Sequence, residues 1–340
     1  MDCHTGELVA ICSSPSFDPN KFVRGISTKD YRGLMDHDHR PLADKTVQGV
    51  YPPGSTFKPM MALIGLQEKV VTTKTEHHCY YGFYVGNIHT ACHLHETPLN
   101  LIEAIQNSCN TYFIQVLKSI LQDVKFRSTA DAYDNWRNHL ISMGLTQPLG
   151  IELTNELNGN IPGSDYFNRI YGRDHWNYVT IRSLAIGQGE LLVTPIQMAN
   201  MAATIANRGY YITPHLVKDI ESENSIDETY LEKHYTSIDT SCYGPVVEGM
   251  YLVVNGGAGS TARNARIEGI SVCGKTGTAE NPHGNDHSIF IAFAPKEDPK
   301  IAIAVYVENQ GFGTTYAAPV ASLMIEKYLT GEVKRTWYEN

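Results

Sequence analysis

At 340 residues, 42% of them hydrophobic and 19% charged, the chain can bury a core for one large domain or two smaller ones. A net charge of −9 argues against a nucleic-acid footprint or an adhesive basic face. No apolar run approaches the roughly 18 residues that a membrane span needs, and no basic segment followed by an apolar stretch marks a signal peptide.

Residues 6–12 read as a short buried strand, followed by a turn-rich loop from Ser13 to Asn20. From Ser55 to about Lys69 the pattern predicts a helix that is apolar nearly all round and therefore deeply buried. Residues 70–98 are rich in Tyr, Gly, His and Cys without periodicity and read as an ordered loop or insertion. Helical spacing returns at Leu101, Ile102 and Ile105 and again at Phe113, Val116 and Leu117, and residues 129–143 predict an amphipathic helix. Thr194 followed by Pro195 marks a capped helix start, and Gly209 its end. Gly256 to Ser260 reads as a linker, not a phosphate cradle. The runs 270–276, 288–294 and 301–307 predict adjacent antiparallel strands, and a last helix spans Ala318 to about Leu329. The expected class is α+β, with an antiparallel sheet completed by both chain ends, flanking helices and a mostly helical middle.

Three short motifs carry chemistry. Ser55-Thr56-Phe57-Lys58 sets a serine and a lysine three positions apart at a predicted helix start, within reach of each other on one face. Ser108-Cys109-Asn110 falls on the next predicted helix, and Lys275-Thr276-Gly277-Thr278 on the first C-terminal strand. Ser-x-x-Lys alone arises by chance about once in a chain of this size. All three in this order are far more specific, and the trio is that of penicillin-binding proteins and class A β-lactamases. A competing match, Gly269 to Thr276, fits the P-loop pattern letter for letter. Its interior is strand-like, however, and Pro282 and Gly284 block the long helix a P-loop requires.

Attack on a peptide carbonyl needs an activated hydroxyl, a proton shuttle and donors aimed at the developing oxyanion. Ser55 supplies the nucleophile. Lys58 can serve as base if burial and the ammonium of Lys275 lower its pKa. Ser108 can relay the proton to the leaving amine, and Asn110 can hold Lys58 and the substrate amide. Lys275, Thr276 and Thr278 suit a substrate carboxylate, and Gly277 would let a substrate backbone lie on the strand edge. The N–H groups of Ser55 and Thr278 are the expected oxyanion donors. His283 and His287 flank a turn after this strand and read as solvated turn residues. The Tyr80, Tyr81, Phe83 and Tyr84 cluster reads as packing around the insertion.

The chain resembles the transpeptidase domain of the monofunctional class B penicillin-binding proteins, in particular their cell-elongation type, penicillin-binding protein 2. The likeness runs through nearly the whole chain: Thr5 to Asn20, the Ser55 signature, and Leu184 to Ala199 with its Gly-Gln-Gly and Thr-Pro. It implies a serine β-lactamase-like transpeptidase fold over 1–340, with 70–98 as a Cys/His-rich insertion. It implies a peptidoglycan D,D-transpeptidase that forms an acyl-enzyme on Ser55, cross-links stem peptides without a catalytic cofactor, and is acylated by β-lactams. A membrane glycosyltransferase and elongation-complex proteins are the implied partners. The implied location is the periplasmic face of the inner membrane, with an N-terminal anchor and a pedestal domain outside this chain. Two hydrolase readings, a β-lactamase and a D,D-carboxypeptidase, share the acylation chemistry, as does a β-lactam-sensing receptor domain.

Cys79, Cys92, His95 and Cys109 offer three thiolates and an imidazole, a set suited to tetrahedral structural zinc. His93 and His89 are alternatives to His95. Elongation-type relatives in Gram-negative bacteria are similar in carrying zinc beside the middle motif.

Overall fold

The computed structural model describes residues 1–220, 226–282 and 284–335. Ten α-helices are formed among them. The first six are α1 (Thr28–Met35), α2 (Lys45–Gln48), α3 (Lys58–Gln67), α4 (Leu101–Gln106), α5 (Asn110–Leu121) and α6 (Thr129–Ser142); then come α7 (Ser164–Tyr171), α8 (Pro195–Ala206), α9 (Tyr243–Asn255) and α10 (Ala317–Thr330). Strands β1 (Gly82–Val85) and β2 (Ile88–Ala91) pair as a hairpin, as do the short β3 (Tyr210–Ile212) and β4 (Lys233–Tyr235). The main sheet has the antiparallel order β5 (Cys273–Ala279), β6 (His287–Ala294), β7 (Ile301–Val307). α8, α9 and α10 pack on this sheet, and α3 joins it to the helical part by touching α5, α6 and α9.

Helix α3 is buried from Lys58 to Gly65, as its all-round apolar pattern predicts. A 3₁₀ turn, Gly54–Phe57, precedes it and packs on β5, so the nucleophile motif is seated between the two layers. The P-loop match fails for a structural reason: β5 runs through Gly274, Lys275 and Thr276, and no helix opens there.

Four expectations need correction. Residues 6–12 form no strand. The chain turns back tightly at Gly6, Leu8 donates to the His215 carbonyl, and Val9 beyond it is exposed with no ladder to join. The N-terminal end instead reaches the free edge of β7 through one bridge, Asp2 to Ile301. Ser108 and Cys109 belong to neither helix: they form the break between α4 and α5, with Ser108 left-handed at φ 57°. The insertion, read as an ordered loop, carries the β1–β2 hairpin, and of its aromatic cluster only Phe83 packs inside, while Tyr80, Tyr81 and Tyr84 are exposed. His287 is the first residue of β6, where its Nδ1 accepts from the Asn309 N–H; it is not a solvated turn residue, and His283 lies outside the described residues.

Candidate active site

Ser55 sits half-buried on the 3₁₀ turn and lines a cleft of about 850 Å³. The turn is set by backbone against backbone. Gly54 (φ 54°) donates to the Gly187 carbonyl at 2.9 Å, and a side chain at Gly187 (φ 73°) would drive into the Gly54 carbonyl. On the other side a Cβ at Gly54 would lie 2.7 Å from the Thr278 carbonyl oxygen, so the Ser55 turn rides directly on β5. A side chain at Gly277 would meet the Pro53 carbonyl and Thr56, each at 2.9 Å. Gly277 therefore makes room for the nucleophile turn, and not for substrate as its sequence context implied.

Lys58 is fully buried, and its Nζ donates to the Ser108 carbonyl (2.6 Å), Ser108 Oγ (3.1 Å) and Asn110 Oδ1 (2.6 Å). Ser55 Oγ is not among these partners, although it lies one turn away. Lys275 is also fully buried, donating to Ser108 Oγ (2.9 Å) and to the Thr276 carbonyl (3.0 Å). One hydroxyl thus bridges two lysines. Burial lowers Lys58 to about 8, while negative charge on Cys92, Cys109 and Cys79 pulls it the other way. Lys275 is held well below its usual value by burial first and by the charge of Lys58 second. The sequence reading placed Lys275 against a substrate carboxylate. Its side chain instead lies behind Ser108 and does not line the cleft, whereas the hydroxyl residues Thr276 and Thr278 do.

Asn110 has both ends of its side chain engaged, since Nδ2 donates to the Ala91 carbonyl at 2.7 Å while Oδ1 takes Lys58. One Nδ2 hydrogen remains for a ligand. Its backbone N–H points at Cys92 Sγ, 3.2 Å away. The left-handed Ser108 explains this geometry. Interrupting the helix there frees the Ser108 carbonyl for Lys58, and Cys109 caps the next helix by accepting from the Tyr112 N–H.

The ligating atoms of Cys79, Cys92, His95 and Cys109 all lie within 4.8 Å of one another. His95 Nδ1 lies 2.6 Å from the Glu96 carbonyl, which turns Nε2 toward Cys92 Sγ at 3.4 Å. The Cys109 thiol, by hydrogen bonding, draws Cys79 and Cys92 below the ordinary thiol range and is itself pushed up. His89 and His93, the alternatives to His95, line the cleft instead.

Gln188, the centre of the Gly-Gln-Gly stretch, also lines the cleft, as do Arg182, Ser183 and Thr261, which no motif announced. Thr261 Oγ1 accepts from the Thr276 hydroxyl at 3.1 Å. The signal that could have found Arg182 and Ser183 is their position just ahead of Gly187, the glycine that fixes the nucleophile turn.

A profile of the penicillin binding protein transpeptidase domain family matches residues 1–326. Peptidoglycan D,D-transpeptidase MrdA of Haemophilus influenzae is 34% identical over 355 residues, covering 97% of this chain and 52% of that protein. The chain thus spans about half the length of such relatives. Among solved structures, Pseudomonas aeruginosa PBP2 in complex with WCK 5153 is similar, with a TM-score of 0.85 and 32% identity over 99% of this chain and 72% of that one. PBP2 of Helicobacter pylori, in its complex with MreC, has a TM-score of 0.82 and 27% identity over 97% of this chain and 59% of that one. By sequence over almost its full length and by fold, the chain belongs to the penicillin-binding protein transpeptidase family, PBP2 type.

Proposed function

We propose that this chain is the catalytic domain of a peptidoglycan D,D-transpeptidase, with Ser55 as nucleophile, Lys58 as base and Ser108 as proton relay. The observation that carries the reading is the Ser108 hydroxyl held between two buried lysines, 3.1 Å from one and 2.9 Å from the other. An ammonium at Lys58 spends its three hydrogens on three acceptors. Loss of one hydrogen leaves a lone pair that can take the Ser55 proton. The Ser55 oxygen then bonds to the carbonyl carbon of the penultimate D-alanine, and the N–H groups of Ser55 and Thr278 stabilise the oxyanion. The proton passes through Ser108 to the leaving nitrogen, the terminal D-alanine departs, and the amine of a second stem resolves the ester. Thr276 and Thr278 hold the terminal carboxylate, and Lys275 acts on Ser108 from behind.

Labelling with a fluorescent penicillin is expected to modify the wild type stoichiometrically and to vanish in Ser55→Ala; labelling that persists in the variant overturns the scheme. The wall beside Ser55 offers Ser183, Ile186 and Gln188. The carboxylates that line the cleft among the described residues, Glu280 and Asp286, lie at the β5–β6 end. The absence of a carboxylate beside the ester among the described residues supports transfer over hydrolysis, so nitrocefin should give a burst of about one equivalent and little turnover.

The same reading gives a role in cell elongation at the periplasmic face of the inner membrane, with elongation-complex proteins and a glycosyltransferase as partners; solved relatives in complex with MreC and in a peptidoglycan synthase complex support the partners. Among the described residues no helix is long and apolar enough to cross a membrane. An anchor and pedestal outside this chain complete the reading.

The four-residue cluster fits a structural zinc, which would tie the insertion to the start of α5. About one zinc per chain is expected, and chelation should lower the melting temperature by more than about 5 °C. Protein free of zinc that carries a Cys79–Cys92 disulfide by mass would end this assignment.

A further inference from the structure

With Lys58 and Lys275 hidden behind Ser108, Arg182 is the one lysine or arginine that lines the cleft among the described residues. It opens the 3₁₀ turn Arg182–Ile186, whose cap, Gly187, fixes the nucleophile turn. Two bonds aim its guanidinium: Nη1 donates to the Val179 carbonyl at 2.8 Å, and Nε donates to Thr90 Oγ1, on β2, at 3.2 Å. Both partners are neutral. Among the described residues no carboxylate lies within ion-pair distance of Arg182, in a chain with 36 acidic residues. A half-buried guanidinium braced on neutral acceptors, with Nη2 left over, is a cation that lacks its anion.

The charge of the cleft is also divided. Arg182 stands where β2 meets the 3₁₀ turn, whereas Glu280 and Asp286 stand at the β5–β6 end, where the cleft adjoins a second cavity that Asp286 also lines. A donor strand whose terminal carboxylate is held at Thr276 and Thr278 and whose scissile carbonyl stands at Ser55 continues along the same cleft, where Arg182 is the cation that can meet a further carboxylate. The structure assigns Arg182 as an anion subsite for the donor strand, binding a carboxylate on a residue N-terminal to the scissile D-alanine pair. This assignment rests on the transpeptidase reading and adds a determinant of which stem is accepted as donor. A guanidinium suits the task, because its planar fork meets both oxygens of a carboxylate.

The test uses two synthetic donor peptides, identical except that carboxylates upstream of the D-alanine pair are free in one and amidated in the other. D-alanine release gives kcat/KM for each. Wild type should favour the free acid by about 10- to 100-fold, mainly through KM, the range of a charge-assisted pair. Arg182→Gln should bring the two donors within about twofold of each other, and Arg182→Lys, which keeps charge but not the fork, should retain part of the preference. A wild type that does not discriminate, or an Arg182→Gln variant that still does, overturns the subsite. If Arg182→Gln does not fold, judged by its melting transition, wild type and Arg182→Lys decide, and equal preference in those two rejects the fork. Fluorescent penicillin on wild type separates the two levels: a labelled enzyme that does not discriminate loses only the subsite, and an unlabelled one loses the transpeptidase reading.

Discussion

Lys58→Met should lower the rate of Ser55 acylation by about 10³-fold or more, and Lys58→Arg should be no better. The wild-type rate should rise about tenfold per pH unit and level off above about 8, the value to which burial lowers Lys58. The sign follows from which form works: the neutral amine is the base, and its fraction grows as pH rises toward the pKa. At pH 7 roughly one Lys58 in ten is neutral, against about one in three thousand for an ordinary lysine. Arginine keeps the charge and the hydrogen bonds but cannot give up its proton, so it separates a base from a positive charge. Methionine fills the space of the buried stem but leaves the Ser108 carbonyl and Asn110 Oδ1 without a donor, so its melting temperature should fall and acylation is compared well below it. Stopped-flow acylation by a β-lactam across pH 6 to 9 reads all three proteins. A flat wild-type profile, or an arginine variant with a tenth of the wild-type rate, would remove Lys58 from the role of base.

Two glycines two residues apart should respond very differently to the same methyl group. Gly187 and Gly189 have φ of 73° and 74°, so alanine costs each about 1–2 kcal/mol of backbone strain. The space around them differs. At Gly187 the new carbon meets the Gly54 carbonyl and the Cβ of Phe57, atoms of the nucleophile turn itself, whereas at Gly189 it meets the Oγ of Ser183, which can rotate away. Gly187→Ala must therefore shift the Ser55 turn off β5, and acylation should fall by about 10²-fold or more, because small misplacements of reacting groups cost that much. Gly189→Ala should stay within about tenfold of wild type and unfold at a higher temperature than Gly187→Ala. Penicillin acylation rates and thermal melts of the pair check this, and equal losses would show that backbone conformation, not the contact with the turn, sets the effect.

The residues proposed to carry the chemistry were legible because nucleophilic acylation restricts residue type so strongly: Ser55, Lys58, Ser108, Asn110 and Lys275 stand in motifs whose spacing survives without any fold. The β5–β6–β7 sheet was legible too, as three apolar runs cut by turn residues. What sequence could not supply depended on partners. Residues 6–12 have strand composition, yet a strand needs a neighbour, and none lies beside Val9 to Cys12. The helical spacing from Leu101 to Leu117 runs across the break at Ser108, since a left-handed serine leaves no mark on hydrophobic periodicity. Which side of β5 carries Lys275 follows from register, so its retreat behind Ser108 was out of reach. Arg182 belongs to no motif and gains meaning only beside Thr90. The β1–β2 hairpin was missed although Gly86-Asn87 between apolar residues is a two-residue turn signal.

The burial of Lys58 decides how the reaction can end as well as how it begins. A lysine with a pKa near 8 is among the most nucleophilic amines a protein can make, and it stands one helical turn from an electrophile. Were it exposed in the cleft, it could attack the acyl group and form an amide, which an incoming stem could not displace. Every such event would be a suicide. Tethered by the Ser108 carbonyl, Ser108 Oγ and Asn110 Oδ1, the buried amine can exchange a proton with Ser55 but cannot advance to the acyl carbon, which keeps the acyl group on oxygen as an ester that an amine can still resolve.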